Sequence, residues 1–394
     1  MRHITDGERR ARLTRRHALG PDFRATDPGA ATRSMTVLHA TEAPSVYLSL
    51  FARVENLKAT DVDTALYEDR SLVKQLAMRR TLFVFPRDLL PAAWGSASAR
   101  VAGQNGSRLV KEAEAAGLSK DGAAWLAAAR KAVLKRLENG DELSAQELRE
   151  SIPEIGGRIQ VAVGKKYGGE FSIAPRLLAQ FGAEGSIVRA HNQGHWRTSR
   201  PLWTSMKAWL GEVPEPLRAR EGYAELVRRW LWTFGPGTVE DIRWWLGSTV
   251  SAVKQGLADV DAVEVSLDGG LSGWVLPDDV DPISVSAPGA SLLPVLDPTT
   301  MGWKARDFYL GTYGSELFDT NGNAGTTAWW NGRVVGCWVQ DQTGVVRVEL
   351  LEDPGSKARK ALQSEAERLT DWLEGNRVST VYASSAMRTA AMGS

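Results

Sequence analysis

KATDVDTALYEDRSLVKQLAMRRTLFVFP, running from Lys58 to Pro86, decides how this chain is read. Thr60-x-x-Asp63 has the spacing of a capping box, in which a hydroxyl and an acid three residues on satisfy the first free N–H groups of a helix. A short helix is expected there, then a second helical stretch in SLVKQLAM. TLFVFP is β-branched and aromatic and predicts a strand. Helix, turn, helix, strand is the order of a winged helix-turn-helix.

The same order returns twice. DGAAWLAAARKAVLKRLENG predicts a helix ending at Gly140, Ser144-x-x-Glu147 is another capping box, and GSIVRAHNQGHWRTS predicts a hairpin turning near Gln193-Gly194. In GYAELVRRWLWTFGPGTVEDIRWWLG, Gly235-Pro236-Gly237 breaks the chain and Thr238-x-x-Asp241 caps the next helix. VEVSLDGGLSGWVLP then alternates as a hairpin about Gly269-Gly270. After residue 280 the pattern changes. SAPGASLLPVLDP, TTAWWNGRVVGCWVQ and TGVVRVELLED predict short strands of a small β-barrel, and KARKALQSEAERLTDWLEG predicts one closing amphipathic helix. The expected fold is α+β: three tandem winged helix-turn-helix units in 1–115, 116–210 and 211–280, then a C-terminal small β-barrel and terminal helix in 281–394.

Composition narrows the class. Of 394 residues, 43% are apolar and 24% charged, the balance of a globular protein, and no run of about 18 apolar residues is available to span a bilayer. The Arg-rich N-terminus lacks the apolar core of a secretory signal, so a cytoplasmic protein is expected. The single Cys337 excludes an internal disulfide framework and a cysteine-based metal site. A net charge of +1 hides an uneven distribution: residues 1–36 carry eight arginines against four acids, while ADVDAVEVSLDGG and LPDDVDP are acidic. A basic N-terminal part is compatible with nucleic-acid contact, and equally with a solvated tail.

The order of elements resembles the AlkZ and YcaQ type of winged-helix DNA glycosylase. The stretches that carry the resemblance are ARVENLKATDVDTALYEDRSLVKQLAMRRTLFVFP, WLWTFGPGTVEDIRWWLG and LFDTNGNAGTTAWWNGRVVGCWV, in the family's order. In that family a Gln-apolar-Gln or Gln-apolar-Asp motif precedes a helix leading to an Ala-Arg pair. Here the place is taken by His39-Ala40-Thr41, ahead of the helix that runs to Ala52-Arg53. His-x-Thr resembles the variant in members associated with resistance to bulky DNA-alkylating antibiotics of the trioxacarcin kind.

The resemblance implies a monofunctional DNA glycosylase that removes N7-alkylguanine, including bulky antibiotic adducts, in base-excision repair and self-resistance. It implies a duplex DNA partner carrying alkylated guanine; Gly-rich stretches such as GPG and GNAG fit neither a P-loop nor a dinucleotide fingerprint, so no cofactor is expected, and a monomer is expected. His39 and Thr41 are the implied catalytic pair. A neutral imidazole can accept a proton from the attacking water, and the positive end of the following helix, with Pro44 in its first turn, favours the neutral form. Thr41 is then either a second water ligand or simply a helix cap.

DNA-contact candidates are set against plainer roles. Arg79 and Arg80 suit phosphates, or pair with Glu68 or Asp69. Lys165 and Lys166 form a phosphate clamp or a solvated loop tip. Asn321 and Asn323 belong to a hairpin the resemblance brings close to DNA, or to an ordinary Asn-Gly turn; Arg333 is a phosphate contact with the same alternative. His191 and His195 straddle a predicted turn without a third acidic ligand, so no metal is expected. Rival functions are a winged-helix regulator or lesion sensor that binds without cleaving. A family member silenced by the changes at residues 39 and 41 is a third.

Overall fold

The Lys58–Pro86 stretch folds as a helix followed by a β-hairpin in the computed structural model of the chain, which describes residues 1–161, 168–283 and 289–392. Helix Ala59–Asp63 starts one residue before Thr60, and Asp61 rather than Asp63 accepts the Lys58 N–H at 2.8 Å. Asp63 instead accepts a hydrogen bond from the Tyr47 hydroxyl. The helix widens into a π turn over Thr64–Glu68.

SLVKQLAM is not the second helix. Leu72–Ala77 is a strand, paired antiparallel with Thr81–Pro86 from Leu72↔Pro86 to Ala77↔Thr81. Val73, Gln75 and Ala77 are buried, while Lys74 and Leu76 between them are only half-buried. That period of two prevails over helical spacing because eight residues span barely two helical turns. The missing helix lies upstream. Helix Pro28–Ser34, strand Leu38–His39 and helix Ala43–Phe51 precede Ala59–Asp63, and Leu38 and His39 pair with Val84 and Phe83 as a third strand on the hairpin.

The same sequence of elements recurs. Helices Gly122–Arg136, Ala145–Ser151 and Ala174–Ala183 lead into hairpin Ile187–Asn192 and Pro201–Ser205, with Leu143 bridged to Trp203. Ser144 and Glu147 form the expected capping box, with Glu147 N–H donating to Ser144 Oγ at 3.2 Å and Ser144 N–H to Glu147 Oε2 at 2.8 Å. The hairpin connection is broader than a tight Gln193-Gly194 turn, since the strands resume pairing only at Pro201. Helices Ala219–Phe234, Val239–Leu246 and Val250–Asp259 lead into hairpin Val263–Leu267 and Ser272–Val275, with Gly237 bridged to Trp274. Thr238 and Asp241 cap the second of these helices. Gly269 and Gly270 turn this hairpin at φ +74° and +73°, where a side chain would be strained.

The C-terminal part is an open sheet rather than a closed barrel. Strands Ala290–Leu293, Thr327–Trp330, Arg333–Gln340 and Val346–Leu350 pair antiparallel in chain order, and among the described residues the two outer strands do not pair with each other. Helix Ser356–Leu373 packs against both outer strands instead. A further helix, Ser385–Met392, which the sequence reading did not anticipate, packs against the third strand.

One apolar core runs through the first and third units and the C-terminal sheet, joining Leu38, Phe83, Trp230 and Trp329; the second unit has its own, built on Leu148, Leu177 and Phe181. Part of the uneven charge is paired inside the molecule. Arg12, 1% exposed, bonds Glu8 at 2.9 Å and Asp279 at 2.6 Å, and Arg16 also pairs with Asp279. The basic N-terminal helix and the acidic LPDDVDP stretch are therefore each other's partners, and these arginines make no free patch. No helix among the described residues is long and apolar enough to cross a membrane.

Candidate active site

Where the first two hairpins meet the C-terminal part, a cleft of about 490 Å³ opens. It is lined by His39, Thr41, Leu76, Arg79, Arg80, Thr81, Leu82, Arg189, Leu296, Met301, Asn323 and Tyr382, none of them Asp or Glu. His39, Thr41, Arg79, Arg80 and Asn323, separated by up to 284 positions in sequence, are thus brought to one surface.

His39 sits on the short strand added to the first hairpin, its ring centroid 4.6 Å from that of Phe83. It is 6% exposed, and both ring nitrogens are buried with no hydrogen-bond partner among the described residues. Burial, reinforced by the Arg79 charge and opposed by Asp297, lowers its pKa to about 3. The neutral form expected from the sequence is thus favoured, for a different reason: desolvation outweighs any helix dipole. We predict that kcat/KM, which reports the free enzyme, shows no limb near pH 6.5. His39 loses its proton well below that value and stays neutral across about pH 5 to pH 8; a pH profile of base release under subsaturating conditions checks this.

Thr41 is exposed, and its hydroxyl bonds nothing among the described residues. It is not the cap of helix Ala43–Phe51. That position belongs to Glu42, whose carboxylate instead accepts from Thr380 Oγ1 at 2.9 Å and Val381 N–H at 3.0 Å. This clasp fixes the irregular segment that carries Tyr382 into the cleft.

Arg79 and Arg80 form the tip of the first hairpin, both with left-handed backbones at φ +54° and +60°. Neither pairs with Glu68 or Asp69. The Arg79 guanidinium lies over the Trp244 ring of the third unit, Cζ 4.0 Å from the centroid. Its Nε and Nη2 are buried without partners, and burial together with Arg306 draws its pKa down to about 10, so it stays charged. Gly247, at φ +61°, caps the helix carrying Trp244, and a Cβ there would meet the Arg79 backbone nitrogen at 3.0 Å.

Asn323 reaches the cleft wall in a turn organised by Asp319, which accepts both its N–H and its side-chain amide at 2.9 Å. Asn321 lies exposed on the same turn and does not line the cleft. Arg333 is also outside it, 3.3 Å from Glu352. Lys165 and Lys166 lie outside the described residues. His191 has the acidic neighbour that its sequence context did not reveal, Glu142 at 2.8 Å, but no group of three potential metal ligands forms among the described residues.

Arg189 and Tyr382 line the cleft without having been anticipated, because each arrives from a distant element. Lys74 was likewise missed. It donates to the Tyr67 hydroxyl at 2.7 Å in a small hollow next to the cleft, and burial, with Arg189 nearby, lowers its pKa to about 8. A lysine within an alternating strand was the available signal for it.

Beneath the cleft, Arg53 closes the helix that follows His39-Ala40-Thr41. It is fully buried and bidentate to Asp297, at 2.8 Å to Oδ2 and 2.7 Å to Oδ1, with a further bond to Thr299 Oγ1 at 2.8 Å. Asp297 also accepts from Ser49 Oγ at 2.7 Å and Thr299 N–H at 2.9 Å. Burial works to raise its pKa, but Arg53 and these bonds overcome that and hold it low.

Among solved structures, the DNA glycosylase AlkZ of Streptomyces sahachiroi superposes with a TM-score of 0.75 at 18% identity, over 96% of this chain and 99% of that one. A likeness at that identity shows a shared fold. No curated protein matches the chain. The family model for the DNA glycosylase AlkZ-like proteins matches residues 32–372, which include the His39 strand, the Arg79 hairpin and the Asp297 network. The chain belongs to the AlkZ-like DNA glycosylase family.

Proposed function

We propose that this DNA glycosylase hydrolyses the N-glycosidic bond of N7-alkylguanine in duplex DNA, bulky adducts of DNA-alkylating antibiotics included. Its three repeats then act as winged helices that hold the duplex. The observation that carries the substrate class is the chemistry of the cleft wall: a neutral histidine, arginines and no carboxylic acid. Such a wall offers a base but no competent acid, since guanidinium is too weak a donor and burial raises the Tyr382 phenol further. A normal purine needs protonation to leave. Guanine alkylated at N7 is already cationic and departs as a neutral base.

In the proposed reaction, water adds to C1′ as the C1′–N9 bond breaks, and the bonding electrons leave with N9. His39 takes the proton released by the water, and Thr41 orients that water. Arg79, Arg80 and Asn323 contact the DNA. The cleft is assembled from three parts of the chain, and Leu76, Leu82, Leu296 and Met301 in its lining are apolar surface for the large planar substituent of a bulky adduct.

The test uses two duplexes, one with N7-methylguanine and one with a bulky intercalating N7 adduct, under single-turnover conditions. The proposal expects base release from both, faster from the bulky adduct. Release of neither, with binding that ignores the lesion, points to the regulator or sensor instead.

A further inference from the structure

The wall of the cleft carries positive charge only, although the bond it is proposed to break leaves a cationic sugar. Arg79, Arg80 and Arg189 face the space beside His39, and the carboxylate that electrostatically reaches His39, Asp297, is saturated by Arg53, Ser49 and Thr299. Left alone, this charge would disfavour an oxocarbenium-like transition state.

Two of the arginines are held on aromatic faces. Arg79 Nε and Nη2 are shielded and bond to nothing among the described residues, and its plane is fixed against Trp244. Arg189, on the second hairpin, has its Cζ 5.1 Å from the Trp203 ring centroid and makes no side-chain hydrogen bond or ion pair among the described residues. Aromatic faces position a guanidinium without pairing its N–H groups. A half-buried, unpaired guanidinium is costly unless a ligand supplies the counter-charge. Arg189 also brings the second unit to a site otherwise built from the first unit and the C-terminal part.

We propose that Arg79 and Arg189 grip the phosphates beside the damaged nucleotide, and that these phosphates, in place of a protein carboxylate, supply the negative charge that stabilises the sugar cation. The DNA backbone is then a working part of the catalytic electrostatics. The inference rests on the glycosylase reading and adds no reactant: water, alkylated duplex, free base and abasic strand balance as before.

The experiment replaces single phosphates flanking an N7-alkylguanine by uncharged methylphosphonate, one position per duplex, and measures single-turnover release at saturating enzyme. At one flanking position or more, the rate falls about 10²-fold, the size typical of losing one preorganised transition-state contact. Arg79→Gln and Arg189→Gln slow the native duplex, and the methylphosphonate at the phosphate each arginine holds then costs little more. Arg189→Lys restores part of the rate, which a purely structural role would not require. Methylphosphonate duplexes processed at the native rate, or losses that simply multiply with the arginine substitutions, overturn the inference and leave the glycosylase reading intact. No release from the native duplex overturns both.

Discussion

Asp297→Ala lowers the free energy of unfolding by about 3–5 kcal/mol, measured by denaturant titration near pH 7, because it strands Arg53 as an unpaired charge in a dry interior. Arg53 and Asp297 are each 0% exposed, and the carboxylate answers four donors from Arg53, Ser49 and the Thr299 backbone. Removing the acid therefore leaves buried donors without acceptors, which costs far more than the pair itself contributes. Replacing both partners together, Arg53→Met with Asp297→Leu, recovers only part of the loss: it avoids the desolvation of two ions but still leaves Ser49 Oγ and the Thr299 N–H without an acceptor. The network matters to the cleft because Asp297 caps the short helix Pro298–Met301, whose last residue, with Leu296, lines the site. Full stability in Asp297→Ala would mean that Arg53 reaches solvent or another acid.

His39→Ala has the opposite signature. Base release falls by about 10²–10⁴-fold, the span expected when a positioned general base is lost. Stability changes little. Two shielded ring nitrogens without partners disappear, offsetting the packing lost against Phe83. A structural histidine behaves the other way round, and His17 supplies that contrast. Its ring is fully buried, Nδ1 lies 3.0 Å from Thr299 Oγ1 and Nε2 3.1 Å from the Thr233 carbonyl.

How much of this was legible in the sequence depended on how local the signal was. The capping boxes at Ser144 and Thr238 and the Gly269-Gly270 hairpin are set by neighbours within a few residues, and each formed where its residues predicted. SLVKQLAM failed because a short apolar run carries helix and strand periods at once, and only pairing with Thr81–Pro86 decides between them. The strands after residue 280 were visible one by one. Whether they close is a tertiary property, and here a helix packs against both outer strands instead. The basic N-terminus suggested nucleic acid, but Asp279, which pairs with both Arg12 and Arg16, lies more than 260 positions away.

The site divides in the same way. Composition and spacing offered no reason to prefer His39 over other histidines; resemblance supplied it, and the cleft then gathered Thr41, Arg79, Arg80 and Asn323 around it. Arg189 and Tyr382 were invisible because nothing near them in sequence marks them. Their place follows from the second hairpin packing beside the first, and from the Glu42 clasp on the C-terminal segment.

The most direct test is single-turnover release of free base from a duplex with one N7-alkylguanine, wild type beside His39→Ala at saturating protein. The wild type is expected to yield the free alkylated base and an abasic strand, while the variant binds the duplex and stays folded but releases base at least about 100-fold more slowly. Equal rates in the two proteins, or tight binding by the wild type with no base released, would contradict it.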